Sequence, residues 1–301
     1  MRMRTLAAYG LAAWLMSSGG AGAQTSLSNV VRSTAGDGIE FTFDNSLDGY
    51  AVSGVWYPLA TPPAHTMLVG PAVFQLRNAT TGKAIKIAEN AISLLNDAYL
   101  KAHPIDPQQG ASPVGLIAAL KSRGVLRLNY SGEDRARKVP CRESRDTCLA
   151  FGDIPIDLQD VNFDGKPEVI VTQQGMAQRF GDAYRVFTID FDDADGASPE
   201  IGTVPYDDAQ FQNVLGRLDD MSTIDLTRKR ISIYLSGGAC ANSNEVFGLN
   251  PDTYDAGFSL LEYWSWQTDE KGDCIEKIYH VKYSPIGVPA YKLFSLTKNP
   301  Q

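Results

Sequence analysis

Apolar and polar residues alternate along most of this chain. Ile39-Glu-Phe41-Thr-Phe43 sets every second side chain on one apolar face, the pattern of a strand with one side buried. Residues 50–57, 72–77, 83–87, 125–130, 184–190, 230–235, 260–266 and 277–283 read as further strands. Asn78-Ala-Thr-Thr-Gly82-Lys83 separates two of them as a hairpin turn with a glycine. Residues 168–172 read as a buried strand.

Two stretches break this pattern. Residues 88–102 place Ile92, Leu95 and Tyr99 at helical spacing. Ser112-Pro113 then reads as an N-cap and first-turn proline, opening a short helix that ends at Gly124. Together they predict a small helical insertion over about 88–124, inside a single β-rich domain spanning 37–301. A further short helix is predicted within 207–218. Many short strands separated by turns imply a sandwich, a barrel or a propeller-like stack, and no repeat period selects among them.

The first residues carry a different signal. Met1-Arg-Met-Arg4 is basic, residues 5–16 are apolar, and Ala21-Gly-Ala23 precedes Gln24 as a small-x-small cleavage site. Residues 1–23 therefore read as a signal peptide and 24–36, rich in Ser, Thr and Gly, as a flexible lead-in. The apolar run is too short to span a bilayer, and no cysteine at the cleavage site suggests a lipid anchor. The expectation is an exported, periplasmic protein without a membrane anchor.

Export changes how charge and cysteines are read. The formal net charge is −8, and loss of Arg2 and Arg4 with the signal leaves 25 basic against 35 acidic residues. Such an acidic chain is a poor nucleic-acid binder and a better partner for cations or basic proteins. Cys141, Cys148, Cys240 and Cys274 are an even set, read as disulfides in an oxidising compartment. Of three possible pairings, Cys141–Cys148 across a polar loop and Cys240–Cys274 are favoured.

The strongest chemical signal is Asp160-Val-Asn162-Phe-Asp164-Gly165-Lys166-Pro-Glu168. Alternate residues of a tight loop turn their oxygens inward, and the glycine permits the sharp turn around a hard cation. Asp160, Asn162, Asp164, the Lys166 carbonyl and Glu168 form the candidate ligand set, all oxygen, which suits Ca²⁺. Val171 stands where an EF-hand would place its closing Glu, so a helix–loop–helix is not expected. Two partial echoes, Asp44–Gly49 and Asp190–Gly196, read as hairpin turns.

Signals for catalysis are thin. His65, His103 and His280 have no triad or ligand spacing, and no nucleophile elbow, phosphate loop or zinc-protease motif occurs, so no enzyme is expected. The segment from Tyr234 through Ser236-Gly237-Gly238-Ala-Cys240 to Glu245 reads either as a tight turn held by a disulfide or as a small, polar, cysteine-anchored recognition loop.

The order of the 160–165 loop, the aromatic strand Tyr184-Arg-Val-Phe187, Thr223-Ile-Asp225, and Arg230-Ile-Ser-Ile-Tyr-Leu-Ser236-Gly-Gly238 resembles the bacterial periplasmic immunity proteins of the type IV secretion killing system. These are similar to periplasmic inhibitors of invertebrate-type lysozyme. The resemblance covers roughly 150–285 and implies a mainly-β, propeller-like fold, a structural Ca²⁺, and inhibition of a peptidoglycan hydrolase by a loop inserted into its cleft. Ser236, Gly237 and Gly238 match the inhibitory turn. The alternative is a calcium-stabilised module that binds glycan or an envelope protein without inhibiting it. Tyr263-Trp264-Ser-Trp266 permits that reading, although core packing is the favoured role of this strand.

Overall fold

The structure, a computed structural model, describes residues 38–59, 68–95, 97–106, 110, 112–130, 132, 134–142, 144–175, 181–188, 200–201, 214–238, 240–249, 257–283 and 289–298. The segments 1–37, 190–196 and 207–213, and His65, lie outside them.

The N-terminal part builds a five-stranded sheet from β1 (Ile39–Phe43), β2 (Tyr50–Trp56), β3 (Gly70–Asn78), β4 (Ala84–Ile92) and β5 (Leu126–Leu128). Its order is β4-β3-β2-β1-β5, antiparallel except where β5 joins β1. The alternation seen in the sequence decides its inner face: Phe41, Val52, Trp56, Phe74, Leu76, Ile85 and Ile87 are all buried. The Trp56 indole N–H, which burial would otherwise leave unpaired, donates to the Ile92 carbonyl at 2.9 Å. The predicted turn is present, with Gly82 at φ 72°. Asp44–Gly49 is also a turn, with Asp48 and Gly49 at positive φ before Leu47 bridges Tyr50.

The helical reading of 88–102 needs correction. Strand β4 continues to Ile92, and only α1 (Asp97–Ala102) is helical there. Pairing with β3 at Ala88, Glu89 and Ile92, across an irregularity at Asn90 and Ala91, overrides the local spacing. The second helix, α2 (Pro113–Lys121), forms as expected: the Ser112 hydroxyl accepts from the Gly115 N–H at 3.1 Å, and Gly124 follows at φ 73°. Among the described residues no helix is long and apolar enough to cross a membrane.

A hairpin of β6 (Arg137–Pro140) and β7 (Thr147–Ala150), closed by the Cys141–Cys148 disulfide, leads to the middle sheet. That sheet holds β8 (Ile156–Gln159), β9 (Glu168–Gln173), β10 (Ala183–Thr188) and β11 (Glu200–Ile201) in the order β11-β10-β9-β8. Its faces go to different cores. Ile156, Leu158, Val169, Val171 and Phe187 pack with the first sheet. Ile170, Tyr184 and Val186 pack with the C-terminal strands. This explains the uninterrupted apolar run of β9, whose first five residues are buried.

The third sheet joins β6 and β7 to β12 (Thr223–Asp225), β13 (Arg230–Ser236), β14 (Asn242–Leu249), β15 (Phe258–Thr268), β16 (Cys274–Tyr283) and β17 (Pro289–Lys298). Ile231, Ile233, Phe247, Phe258 and Leu260 face the middle sheet. Beyond that core the three long strands continue: Val281 is the one buried residue of β16, and β17 has none. Among the described residues the fold is thus mainly β, in three sheets of five, four and eight strands, none of them closed on itself.

One buried acid joins the first two sheets. Glu89 on β4 accepts from Gln173 Nε2 at 2.6 Å and lies 3.7 Å from the Arg185 guanidinium. Burial nevertheless raises its pKa, ahead of the opposing effects of Arg185, the Asn90 N–H and Gln173. The folded state therefore holds this proton more tightly than the unfolded chain does. Stability is lost as pH rises from about 4.5 through the raised folded value. Glu89→Gln is expected to melt above the parent at pH 7 and level with it at pH 4, as read by calorimetry; a lower melting temperature at pH 7 would contradict this.

Candidate functional site

The 160–168 loop closes the β8–β9 hairpin, whose last register pair is Gln159↔Glu168. Its odd and even positions divide as the sequence suggested. Val161 and Phe163 are buried in the second core, with the Phe163 ring edge-on to Phe258 at 5.8 Å. This anchoring holds Phe163 at φ 65°, a backbone region costly for a bulky residue, and Gly165 follows at φ 89°. Lys229 Nζ, from the turn that precedes Arg230, donates to the Phe163 carbonyl at 3.3 Å and steadies the loop.

The oxygen-bearing residues then turn to the inside of the loop. Asp160 Oδ2 accepts from the Gly165 N–H at 3.0 Å, Asn162 Oδ1 from Asp164 at 2.9 Å, and Asp164 Oδ1 from Lys166 at 2.7 Å. Glu168 reaches back, its Oε2 accepting from Val161 at 2.9 Å and Asn162 at 3.3 Å. The structure therefore gathers Asp160, Asn162, Asp164, Lys166 and Glu168 in one loop. Two features say that internal hydrogen bonds do not complete it. Asp160 Oδ1 is buried without a hydrogen-bond partner. Glu168 is 2% exposed, and burial pushes its pKa up to about 7 against those two N–H bonds, with the Asp164 and Asp160 charges raising it further. A hard cation suits the chemistry of this all-oxygen donor set, because it would partner the orphaned oxygen and draw together the Asp160, Asp164 and Glu168 carboxylates, whose oxygens do not already lie within 4.8 Å of one another.

The favoured cysteine pairings are both present, Cys141–Cys148 and Cys240–Cys274. Cys141, Cys148 and Asp225 lie close enough to suggest a metal group, but the two sulfurs are joined as a disulfide and offer no thiolate. Two disulfides point to an oxidising compartment.

The polar segment after Tyr234 contains the tight, disulfide-held turn that was one of its two readings. Strand β13 runs through Ser236, and β14 begins at Asn242, so the turn proper is 237–241 rather than a loop reaching Glu245. Pairing with β13 and β15 claims the backbone of 242–245. The Gly237 N–H donates to the Ala241 carbonyl at 2.7 Å, and the Ser236 hydroxyl to Asn242 Oδ1 at 3.0 Å. A Cβ at Gly237 would collide with the Ala241 carbonyl oxygen, and Gly238 adopts φ 144°. Cys240–Cys274 then ties the turn to the start of β16. The turn belongs to the third sheet and the cation loop to the middle one.

The Tyr263–Trp266 stretch is not simple core. Tyr263 packs against the second core and shares its face with Ser265, whereas Trp264 and Trp266 are half-buried on the other face beside Tyr234. On the Tyr263 side lies a cavity of about 300 Å³ lined by Glu245, Tyr263, Ser265, Gln267, Tyr279 and Tyr291. The sequence reading singled out neither Glu245 as a lining residue nor Tyr279 and Tyr291. The available signal was alternation: Tyr263, Ser265 and Gln267 fall on one face of β15. His103 stacks on Tyr99 at 4.4 Å and His280 meets Phe294 at 4.3 Å, both ordinary ring contacts.

No protein-family model matches the chain, and no curated protein matches it. Among solved structures it is similar to one described as "Structure of a Xanthomonas Type IV Secretion System related protein", with 13% identity and a TM-score of 0.47, over 85% of this chain and 93% of that one.

Proposed function

We propose that this is an exported β protein, braced by Ca²⁺, that inhibits a peptidoglycan hydrolase through the turn at Ser236-Gly237-Gly238. The observation that carries the metal is the buried Asp160 Oδ1, left without a partner inside a loop of inward-turned oxygens. Asp160, Asn162, Asp164, the Lys166 carbonyl and Glu168 would hold the ion. The bound ion supplies charge neutralisation at the β8–β9 hairpin and no chemistry.

The inhibitory part is supported by the resemblance of residues 160–165 and 230–238 to the periplasmic immunity proteins, by the net charge of −8, and by the stiffness of the turn. An acidic protein is steered toward basic hydrolases. The Ser236 hydroxyl is already oriented by Asn242 and the turn is tied by a disulfide, so little freedom is lost on insertion. The reading includes a propeller-like stacking of the three sheets.

The test is turbidity clearance of purified cell walls by a panel of lysozymes and other peptidoglycan hydrolases, with and without the purified protein. At least one enzyme is expected to be inhibited. Ser236→Ala or deletion of the turn is expected to raise the half-inhibitory concentration at least about tenfold, the scale of one interface hot spot. Full clearance by every enzyme in the presence of the protein would overturn the inhibitory role.

A further inference from the structure

We propose that the cavity on the β15–β17 ribbon, lined by Glu245, Tyr263, Ser265, Gln267, Tyr279 and Tyr291, is a binding site for a neutral glycan. It is separate from the cation loop and deepens the glycan-binding alternative by giving it a place and a ligand class. It does not depend on the Ser236 turn.

Strand registry builds the site. Glu245, Tyr263 and Tyr279 are successive cross-strand partners on β14, β15 and β16, and Ser265 and Gln267 follow Tyr263 along the same face. Tyr291 enters from β17, where it pairs with Val281 two residues beyond Tyr279. The rings set one another: Tyr291 stands edge-on to Tyr263 at 6.1 Å and to Tyr279 at 6.5 Å, and Tyr263 is tilted against Tyr279 at 6.2 Å. Three rings held by mutual contact give a pre-formed wall that loses little freedom when a ligand binds.

The lining chemistry narrows the occupant. All six side chains carry a polar tip, so a purely apolar ligand would displace water from them without replacing its hydrogen bonds. A cationic ligand is disfavoured because the Glu245 carboxylate is already neutralised by Arg217 at 2.6 Å, and Lys277 stands directly opposite Ser265. None of the six lining side chains is cationic, so an anionic ligand gains no ion pair with them. What remains is a neutral molecule with apolar C–H faces for the rings and many hydroxyls for the tips, which is a sugar. A volume of about 300 Å³ lies at the small end of ligand sites and accommodates about one or two pyranose rings. The exposed Leu293, opposite Tyr279 in register, continues the surface along the ribbon for further residues of a chain.

The experiment is ligand-observed NMR on the purified protein with four neutral tetrasaccharides, built from β-linked N-acetylglucosamine, glucose, mannose or galactose, and with tetralysine as the cationic control. At least one tetrasaccharide is expected to bind with a dissociation constant below about 1 mM, and tetralysine not to compete with it. Tyr291→Ala, at an exposed position on the edge strand, is expected to weaken binding at least tenfold, and Tyr279→Ala to do the same. Tyr291→Phe keeps the ring and should stay within threefold. Ser236→Ala should bind sugar normally, so failure of the inhibitory turn and failure of this site are told apart. No binding of any neutral tetrasaccharide at millimolar concentration overturns the assignment. So does tetralysine displacing the sugar, or full affinity in a folded Tyr279→Ala or Tyr291→Ala protein.

Discussion

Chelating calcium is expected to lower the melting temperature by about 5–10 °C. The figure follows from linkage: free ion at a hundred times its dissociation constant stabilises the folded state by about 2.7 kcal/mol, and each kcal/mol moves the midpoint of a domain this size by about 2–4 °C. The physical source is local. In the metal-free loop the Asp160 Oδ1 atom is buried without a partner, and Glu168 is held among the acids Asp160 and Asp164. A cation removes both penalties at once. Glu168→Gln keeps the size of the side chain and deletes a charge, so it should abolish most of the calcium-dependent shift. Asp44→Ala, in the partial echo that forms a plain turn, should leave the shift intact. The measurement is calorimetry with calcium or EGTA, beside metal analysis of the purified protein. Identical midpoints in both buffers, with no metal found, would sink the calcium brace.

Loss of the Cys240–Cys274 bridge is expected to cost about 3–4 kcal/mol, and loss of Cys141–Cys148 nearer 2 kcal/mol, in the chain-entropy account of disulfides. The bridges close segments with separations of 34 and 7 residues, and the longer loop has more freedom to lose in the unfolded chain. The longer bridge also spans the sheet, from the β13–β14 turn across β15 to the start of β16. Its double Ser variant should therefore melt about 10 °C lower and also lose inhibitory potency, because the Ser236 turn is no longer tied. The Cys141/Cys148 double variant should keep potency. Equal destabilisation by the two double variants, or unaltered inhibition without the Cys240–Cys274 bridge, would count against the stapled turn.

The cation loop was readable because its logic is local. Asp160, Asn162, Asp164, Gly165 and Glu168 lie within nine residues of chain, and their alternation leaves Val161 and Phe163 between them, which the structure buries in the second core. The Ser112 cap and the Gly82 turn were readable for the same reason, because spacing and residue type nearly decide them; the four cysteines allowed three pairings, and the fold selected the favoured one. Residues 88–92 misled, because the spacing of Ile92, Leu95 and Tyr99 is helical and only the partner strand β3 turns this segment into β4. Strand β14 was hidden inside what read as a loop, since Asn242, Ser243, Asn244 and Glu245 have weak strand preference until β13 and β15 claim their backbone on both sides.

What the sequence determined by itself is therefore a mainly-β chain with an even set of cysteines and one oxygen-lined loop, read from residue types and the patterns of neighbouring residues. Tertiary structure decided the rest. It buried β9 on both faces by placing the middle sheet between two cores, and it brought Glu245, Tyr263, Tyr279 and Tyr291 from four strands around one cavity. Such arrangements depend on which strands become neighbours and in what register. Those are contacts between distant parts of the chain, and no local pattern of side chains encodes them.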